Sequence, residues 1–408
     1  MSRLIVQKYG GTSVGNLNRI KKVADRVISY AKQKDKLVVV VSAMGDTTDE
    51  LLSLAKKINP SPFERELDML ISTGEQISSA LLAMAIHKKG YQAISFTGSQ
   101  VGIITDTFHT KAKILKIEAD RIREELKKGK IVIVAGFQGI STDSEITTLG
   151  RGGSDLSAVA LAVALSADLC EIYTDVDGIY TADPRIVKNA KKLSYISFDE
   201  MLELSARGAQ VMQTRAVEVA KKFNMPLIVR SSFNKKEGTI IMDRKPYIEE
   251  PVVRGAALTE NEAKITICGV PDRPGIAAKV FNSLASSNIN IDMIVQNVSH
   301  EKFTDISFTV SKDSLSKALK ISKEIAKEIK AGAVLSDEDI AKVSIVGVGM
   351  RSQAGVAAKC FSVLADNKIN IEMISTSEIS ISCVVNKKYG KKALSALHSA
   401  FELDKIKN

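Results

Sequence analysis

The chain has 408 residues, of which 45% are hydrophobic and 25% charged, as in an ordinary globular protein that is too long for one core. Its formal net charge is +10, but the lysines are scattered in pairs, there is no tryptophan, and only 5% of residues are aromatic. Binders of single-stranded nucleic acid combine a basic groove with stacking aromatic residues. We therefore expect a lysine-rich solvated surface and no nucleic-acid partner.

Membrane and disulfide signals are also weak. No apolar run approaches the ~18 residues that a membrane span needs, and the N-terminus leads directly into a strand rather than a signal peptide. The four cysteines lie far apart in apolar surroundings, which favours buried free thiols over a metal site. We expect a cytoplasmic protein with no membrane partner.

Residues 1–245 alternate short apolar strands with amphipathic helices. The continuous apolar runs 37–41, 131–134 and 227–229 are typical of strands buried in a parallel sheet. Helical periodicity covers residues 17–33 and 77–88, which lie between such runs. This order predicts an α/β region in which a sheet is sandwiched between helices.

Two glycine-rich turns stand out in this region. Residues 8–13 (Lys-Tyr-Gly-Gly-Thr-Ser) follow an apolar strand, and residues 148–155 (Thr-Leu-Gly-Arg-Gly-Gly-Ser-Asp) precede a helix that we expect to begin near Leu156. Glycine lets backbone N–H groups close on a ligand, and a helix start adds free donors and a positive dipole end. Either turn alone could be a plain strand–helix connection, and neither has the spacing of a P-loop or a dinucleotide fingerprint. Together they predict anion binding and phosphoryl transfer.

The C-terminal part contains an internal repeat. Around residues 243–251 the chain turns polar and contains prolines, which predicts a linker. Beyond it, residues 275–281 (Gly-Ile-Ala-Ala-Lys-Val-Phe) recur 80 residues later as Gly-Val-Ala-Ala-Lys-Cys-Phe, which indicates two copies of one fold. The first copy has the order βαββαβ, whereas the second copy runs out one strand short. Residues 252–258 form a spare strand, and pairing it with the second copy makes the first copy an insertion.

Four motifs taken together resemble the aspartate kinases of the amino-acid kinase superfamily. They are residues 8–13, 72–75 (Ser-Thr-Gly-Glu), 150–155 (Gly-Arg-Gly-Gly-Ser-Asp) and 174–185 (Thr-Asp-x-x-Gly-x-Tyr-x-x-Asp-Pro-Arg). The C-terminal repeat resembles the ACT domain, a βαββαβ amino-acid-sensing module, and aspartate kinases carry a nested pair of them. The resemblance spans essentially the whole chain. It implies a kinase domain at 1–245, an inserted ACT domain at 264–341, and a second ACT domain at 252–263 with 342–408.

The catalytic expectations start from the chemistry of phosphoryl transfer, which needs charge neutralisation and in-line positioning. Lys8, at a strand end, is expected to neutralise the transferred group, helped by backbone N–H groups of Gly10 and Gly11. The resemblance implies that Asp155 orients the catalytic groups. A carboxylate acceptor has a pKa of ~4 and is already a nucleophile, so no general base is needed.

Aspartate is the substrate that the resemblance implies. Arg151 can bind a carboxylate bidentately and is expected to hold the α-carboxylate, while Glu75 receives the α-ammonium. For Glu75 the alternative is a capping or solvated side chain. The residues expected at the substrate are Ser13, Thr47, Glu75, Arg151, Gly152, Gly153 and Ser154.

ATP is the implied cosubstrate, and Mg²⁺ is expected to arrive with it and to keep part of its water shell. Residues 175–178 superficially suggest a calcium loop but lack the closing glutamate, so we expect no protein metal site. Gln210 stands where many family members have a lysine, which puts one phosphate contact in question. The residues expected at the nucleotide are Lys8, Tyr9, Gly10, Gly11, Thr174, Asp175, Tyr180, Asp183, Arg185, Gln210 and Val211.

The ACT pair implies feedback inhibition by lysine, threonine or both. The effector site is expected in the first copy, where Gly275 opens a helix and residues 290–292 begin the next strand. The second copy either contributes to an interface site or is purely structural. The residues expected at the effector are Gly275, Ile276, Ala277, Asn290, Ile291, Asp292, Gln296, Asn370 and Ile371. The assembly is expected to be a homo-oligomer, or one with a separate C-terminal subunit made from an internal start such as Met242.

The implied reaction converts ATP and L-aspartate to 4-phospho-L-aspartate, the first step toward lysine, threonine and methionine. Two alternatives remain: a kinase acting on another amino-acid carboxylate such as glutamate, and a non-catalytic amino-acid sensor. Lys8, Arg151 and Asp155 argue against the sensor. The ACT pair and residues 72–75 favour aspartate over glutamate.

Overall fold

A computed structural model describes residues 2–209, 211–243, 251–297 and 302–406. Gln210 and the linker residues 244–250, which include the expected domain boundary at 245, lie outside the described residues. The strands are β1 Leu4–Tyr9, β2 Lys36–Val41, β3 Ala93–Phe96, β4 Ile103–Thr105, β5 Ile114–Ile117, β6 Ile131–Ala135, β7 Gln138–Ser141, β8 Ile146–Thr148, β9 Leu169–Thr174, β10 Tyr195–Ile196, β11 Leu227–Ser231, β12 Thr239–Ile241, β13 Gly255–Thr259, β14 Glu262–Pro271, β15 Ile294–Gln296, β16 Phe303–Ser311, β17 Val334–Asp337, β18 Ile340–Val346, β19 Ile371–Thr376 and β20 Ser380–Asn386. The helices are α1 Leu17–Ala31, α2 Thr47–Ile58, α3 Glu64–Ile71, α4 Thr73–His87, α5 Asp120–Lys127, α6 Gly153–Leu165, α7 Phe198–Ala206, α8 Thr214–Lys222, α9 Ile276–Ser286, α10 Lys312–Glu328, α11 Val356–Asp366 and α12 Gly390–Ala400. Short 3₁₀ helices lie at Ser99–Val101, Val348–Ser352, Lys387–Tyr389 and Leu403–Lys405.

The central sheet has eight strands in the order β10-β12-β11-β9-β1-β2-β6-β3. Its core strands β9, β1, β2 and β6 are parallel. Successive residues of a strand face opposite sides of its sheet, so in β2 Val38 and Val40 join one apolar core while Val39 and Val41 join another. Both cores are covered by helices, which explains why the buried strands are continuously apolar. The predicted α/β fold class is confirmed.

The parallel strands bring several turns to one edge of the sheet. Backbone hydrogen bonds join the ends of adjacent strands there: Ser42 N donates to Tyr9 O at 3.0 Å, and Gly136 N donates to Val41 O at 3.0 Å. On the other side of β1, Gly10 N donates to Tyr173 O at 3.3 Å. The first glycine-rich turn therefore lies between the ends of β2 and β9.

The two copies of the repeat form two separate four-stranded sheets. Residues 262–337, the first repeat, have the sheet order β15-β16-β14-β17. The spare strand expected over residues 252–258 is β13, and it pairs antiparallel with β18 in the sheet β13-β18-β20-β19. Residues 255–259 together with 340–400 are called the second repeat below.

The two repeats differ in how they pack. The apolar core on the α6 face of the central sheet continues into the second repeat, and includes Leu204, Ala256, Ile345 and Leu394. The first repeat instead has a core of its own, built around residues such as Phe308. Burying apolar surface is the main favourable contribution to folding, so the second repeat is joined to the kinase region by the stronger type of contact.

Three boundary predictions need correction. The helix expected near Leu156 begins at Gly153, because Gly152 adopts a left-handed conformation (φ 74°) that starts the helix earlier. The helix expected over residues 77–88 begins earlier, at Thr73, and directly follows a separate helix, α3, that ends at Ile71. Residues 290–292 precede their strand instead of beginning it. The backbones of Asp292 and Met293 are hydrogen-bonded to Thr309, but regular strand pairing starts only at Ile294.

Two expectations about composition also need correction. The stretch Glu64–His87 has the length and apolar character of a membrane span, although half of its most apolar window is buried inside the protein. One such stretch is weak support for a span, since core helices share these properties. All four cysteines are free, but Cys268 is partly exposed rather than buried, because it lies on the less buried face of β14 together with Lys264 and Thr266.

Candidate active site

An ion pair lies at the centre of the sheet edge. Lys8 Nζ lies 2.7 Å from Asp155 Oδ1, and the two side chains are only 12% and 7% exposed. Lys8 is held by β1 and Asp155 by the first turn of α6. Since an ammonium has three N–H donors, the pair leaves Lys8 able to bind another anion. The structure therefore brings together the two residues predicted to be catalytic.

The first glycine-rich turn is closely packed against the turn after β2. A side chain at Gly11 would place its Cβ 3.0 Å from Ala43 O and 3.1 Å from Gly45 O, so only glycine fits without displacement. The N–H of Gly10, expected to face the phosphoryl group, donates instead to Tyr173 O, because β1 and β9 pair up to this point. Tyr9 is fully buried and stacks on Tyr173 with ring centroids 4.6 Å apart, so its side chain belongs to the core.

Glu75 forms a second polar site beside this turn. Its Oε1 accepts a hydrogen bond from Ala43 N at 3.2 Å, while its Oε2 is buried and has no hydrogen-bond partner among the described residues. Burial raises the pKa of Glu75 to about 7, although backbone N–H groups partly oppose this. A buried carboxylate oxygen without a partner is costly, and a bound cation would satisfy it.

The surroundings of Glu75 depend on a close helix contact. A side chain at Gly74 would place its Cβ 2.8 Å from Ala43 Cβ, so glycine lets α4 approach the turn after β2. Thr47 begins α2, and its hydroxyl donates to Met44 O at 2.6 Å. The predicted substrate residues Thr47 and Glu75 therefore lie on either side of one turn.

The second glycine-rich turn leads from β8 into α6. Gly150 and Gly152 both have positive φ values, 81° and 74°, which most side chains disfavour. The Arg151 side chain is exposed, and its backbone carbonyl accepts a hydrogen bond from Gln213 Nε2 at 3.0 Å. Ser154 is buried beside the end of β6, where a side chain at Gly136 would meet its hydroxyl at 2.8 Å.

Gln213 was missed by the sequence analysis. Besides its bond to Arg151 O, its backbone N donates to Asp155 Oδ2 at 3.3 Å. It therefore connects the second glycine-rich turn to the central ion pair. No sequence signal identifies it, apart from its position close to the predicted nucleotide residues Gln210 and Val211.

Residues 174–185, the nucleotide segment, follow β9. Thr174 Oγ1 donates to Asp175 Oδ1 at 3.1 Å. Hydrogen bonds from Arg185 lower the pKa of Asp183, and the two side chains pair at 2.7 Å. Tyr180, which lies between Asp175 and Asp183 in the sequence, is partly buried. The ion pair with Arg185 is a contact through which Asp183 could support the loop, as predicted.

Ser232 is a second residue that the sequence analysis missed. Its hydroxyl accepts a hydrogen bond from Ser13 Oγ at 2.9 Å and donates to Thr174 O at 3.1 Å. Ser13, a predicted substrate residue, is therefore connected to the nucleotide segment. Ser232 directly follows β11, so the carboxyl-edge rule for parallel strands could have identified it.

Asp177 is engaged in structural contacts. It accepts hydrogen bonds from Asn234 Nδ2 at 2.7 Å and Lys236 Nζ at 3.0 Å, and these bonds lower its pKa. Among the described residues there is no group of three or more His, Cys, Asp or Glu side chains placed to hold a metal ion. A magnesium ion here would depend mainly on phosphate oxygens and water.

Comparisons with known proteins agree with this geometry. The amino acid kinase family matches residues 3–231, and the ACT domain matches residues 265–324 and 343–401. The fold and site thus define an amino acid kinase with C-terminal ACT domains.

The individual relatives narrow this class. An aspartate kinase of Stutzerimonas stutzeri is 54% identical over 402 residues, and an aspartokinase of Pseudomonas aeruginosa is 53% identical over 403, each match covering 98% of both chains. The structure is similar to that of Escherichia coli aspartokinase III in complex with aspartate and ADP (R-state), with 27% identity, a TM-score of 0.85, and 97% and 99% of the two chains covered. The same enzyme in complex with lysine and aspartate (T-state) gives a TM-score of 0.75, with 98% and 100% covered. The chain belongs to the aspartate kinase family.

Proposed function

We propose that the enzyme transfers the γ-phosphoryl group of ATP to the β-carboxylate of L-aspartate at the Lys8–Asp155 pair. The observation that carries this proposal is the 2.7 Å contact between Lys8 Nζ and Asp155 Oδ1. Lys8 lies on β1, the strand between β2 and β9. Glu75 is bonded to the turn after β2, and the nucleotide segment follows β9, so the pair lies between the two substrate regions. The E. coli neighbour binds aspartate and ADP, which supports both substrates.

Each side chain has a distinct chemical task in this proposal. The Lys8 ammonium offsets the negative charge of the phosphoryl oxygens as the group moves, and Asp155 holds that ammonium in place. The β-carboxylate of aspartate attacks directly, because it is ionised at neutral pH. No side chain needs to remove a proton in this reaction.

Aspartate is held by its α-groups. The unpartnered Glu75 Oε2 accepts the α-ammonium, and Arg151 binds the α-carboxylate. The other proposed contacts are Ser13, Thr47, Gly152, Gly153 and Ser154.

ATP is bound along the nucleotide segment, where Asp183 keeps the Arg185 guanidinium in place. Mg²⁺ arrives with ATP and supplies charge neutralisation on its phosphates. The other proposed contacts are Lys8 through its ammonium, and Tyr9, Gly10, Gly11, Thr174, Asp175, Tyr180, Gln210 and Val211.

Regulation is assigned to the repeats. The proposed division is a kinase domain at 1–245, one ACT domain at 264–341, and another at 252–263 with 342–408. Lysine, threonine or both act as feedback inhibitors of this first step toward lysine, threonine and methionine, in a cytoplasmic homo-oligomer or an assembly with a C-terminal regulatory subunit. The complex of the E. coli neighbour with lysine supports an amino-acid effector.

A hydroxamate-trapping assay with ATP, Mg²⁺ and one amino acid at a time tests this function. L-Aspartate should give the hydroxamate and ADP in equal amounts, and L-glutamate should give neither above background. Turnover with glutamate alone would reject aspartate as the substrate. The absence of ADP formation with every amino acid tried would instead indicate a sensor.

A further inference from the structure

One buried histidine of the second repeat contacts the nucleotide segment directly. His398 lies in α12 and is fully buried. Its Nε2 hydrogen-bonds to Thr181 Oγ1 at 2.9 Å, across 217 residues of sequence. Thr181 is itself fully buried, directly after Tyr180 and two residues before Asp183.

Thr181 is held by the second repeat at two points. Its carbonyl accepts a hydrogen bond from Ala256 N in β13 at 2.7 Å, and its hydroxyl contacts His398. The remaining bonds are to Lys191, whose backbone N donates to Thr181 Oγ1 at 2.9 Å and whose carbonyl accepts from Thr181 N at 2.9 Å. The path of residues 180–183 therefore depends on groups that come from the second repeat.

The chemistry of His398 indicates that this contact has a purpose beyond packing. Its Nδ1 is buried without a hydrogen-bond partner among the described residues, so its bond to Thr181 is the ring's only hydrogen bond there. Neighbouring core positions of α12 are apolar, including Leu394 and Leu397. A half-satisfied imidazole is less favourable in such a core than a leucine, which leaves the contact with Thr181 as the reason for a histidine.

We propose that His398 is a positioning residue for ATP: by fixing Thr181 it holds the nucleotide segment in its binding conformation, so that the second repeat supports the nucleotide site from behind. This inference rests on the nucleotide site proposed above. It assigns the second repeat a role in substrate binding that is separate from effector recognition.

Two substitutions remove the hydrogen bond from either side while nearly keeping side-chain volume: His398→Leu and Thr181→Val. Each should raise the KM for ATP about 5- to 10-fold, the fold-change expected for loss of one buried hydrogen bond. The KM for aspartate and kcat should change less than about 2-fold, since the acceptor site and the ion pair are untouched. His398→Gln, whose amide N–H can replace Nε2, should restore most of the ATP affinity.

A double-substitution cycle and a matched control decide between positioning and general stability. Thr181→Val also removes the bond from Lys191 N, so the variant with both changes should be no worse than Thr181→Val alone, because that change already includes the loss of the bond to His398. Ser382→Ala removes a buried hydrogen bond to Ser344 Oγ (2.7 Å) in the same repeat, a bond in which the nucleotide segment takes no part, and should leave the KM for ATP unchanged. Additive effects, or an equal effect of Ser382→Ala, would overturn the proposal.

Two further outcomes have defined meanings. If His398→Leu does not fold, Thr181→Val carries the test, and an unchanged KM for ATP in that folded variant overturns the proposal. Arg185→Ala tests the nucleotide site itself. A raised KM for ATP in Arg185→Ala with no effect in the His398 and Thr181 variants would reject only the positioning role, whereas no effect in any of them would reject the site as well.

Discussion

The two repeats share one spatial order of strands but are attached to the rest of the protein in different ways. The second repeat continues the apolar core of the kinase region and hydrogen-bonds to the nucleotide segment through His398 and Ala256. The first repeat has its own core, and it contacts the second repeat through a small apolar cluster that includes Met293 and Met373 and through ion pairs, one of which also reaches the kinase region. Ion pairs can be replaced by a charged ligand, whereas an apolar core cannot. The first repeat is therefore suited to respond to an effector and the second to anchor.

Equivalent positions of the repeats make the charged contacts. Asp292 in the first repeat pairs with Lys342 of the second, and Glu372, its counterpart 80 residues later, pairs with Lys264 of the first. Lys342 is completely buried and also pairs with Glu262 at 2.5 Å. Asp292 also contacts the kinase region, through Arg207 Nη1 at 3.3 Å, whereas Glu372 has no such ion pair among the described residues. The proposed effector residue thus connects all three parts, and an effector ammonium would compete with Lys342 and Arg207 for it.

The largest effect on activity is expected from a variant of the catalytic lysine in the kinase region, with which the effects of variants in either repeat can be compared. Lys8→Ala should lower kcat by ~10²–10³, because it removes the charge nearest the transferred group, while the KM for ATP changes much less. Steady-state kinetics on protein with an unchanged circular-dichroism spectrum gives the result. A kcat within about 3-fold of the parent enzyme would exclude Lys8 from the mechanism.

Lys342 is expected to dominate the stability of the contact between the repeats. Lys342→Met leaves Glu262 and Asp292 without their buried partner and should lower the free energy of unfolding by ~3 kcal/mol. Lys264→Met, at the matching but 21%-exposed position, should lower it by less than ~1 kcal/mol. Denaturant titration of both variants makes the comparison. Equal losses would show that the two ion pairs are equivalent, contrary to their burial.

Glu75 gives the kinase region a pH dependence of its own. Since its pKa is raised to about 7, it is protonated below that pH and cannot pair with the α-ammonium. The value of kcat/KM for aspartate should therefore fall about 10-fold from pH 8 to pH 6. Because the folded protein binds this proton more tightly than the unfolded chain, Glu75 should also lower stability as pH rises from 4.5 to about 7.

Glu75→Gln is the control for this assignment. It keeps the shape of the side chain but removes the charge, so the KM for aspartate should rise while the KM for ATP stays similar. The fall of kcat/KM for aspartate between pH 8 and pH 6 should also disappear. Equal weakening of both substrates would show that Glu75 supports the fold instead.

Asp292 and Glu372 provide the most direct contrast between the repeats. Asp292→Ala should raise the effector concentration for half-inhibition at least about 5-fold, a coupling loss of ~1 kcal/mol, and leave uninhibited kcat largely intact. Glu372→Ala, the equivalent change in the second repeat, should have a smaller effect. The measurement is a titration with lysine and with threonine. Full inhibition of Asp292→Ala by both amino acids would show that the effector site lies elsewhere.

The sequence predicted those features that are local or periodic. Apolar runs indicated the buried strands, and short motifs indicated Lys8, Asp155 and the nucleotide segment. Gln213 and His398 escaped because each acts through a partner far away in the chain, and no motif marks such a pair, whereas Ser232 could have been found from its position directly after β11. The engaged N–H of Gly10 escaped for a related reason, since it depends on how far β1 and β9 pair.

We propose a division of tasks between the repeats, in which the second repeat supports the nucleotide site and the first responds to the effector. It is tested most directly by measuring the KM for ATP and the half-inhibitory effector concentration in His398→Leu and Asp292→Ala side by side. We predict a crossed result: His398→Leu raises the KM for ATP and keeps the sensitivity of the enzyme to the effector, whereas Asp292→Ala keeps the KM for ATP and loses that sensitivity. If both variants shift the same quantity, the two repeats act as one unit and the division of tasks is wrong.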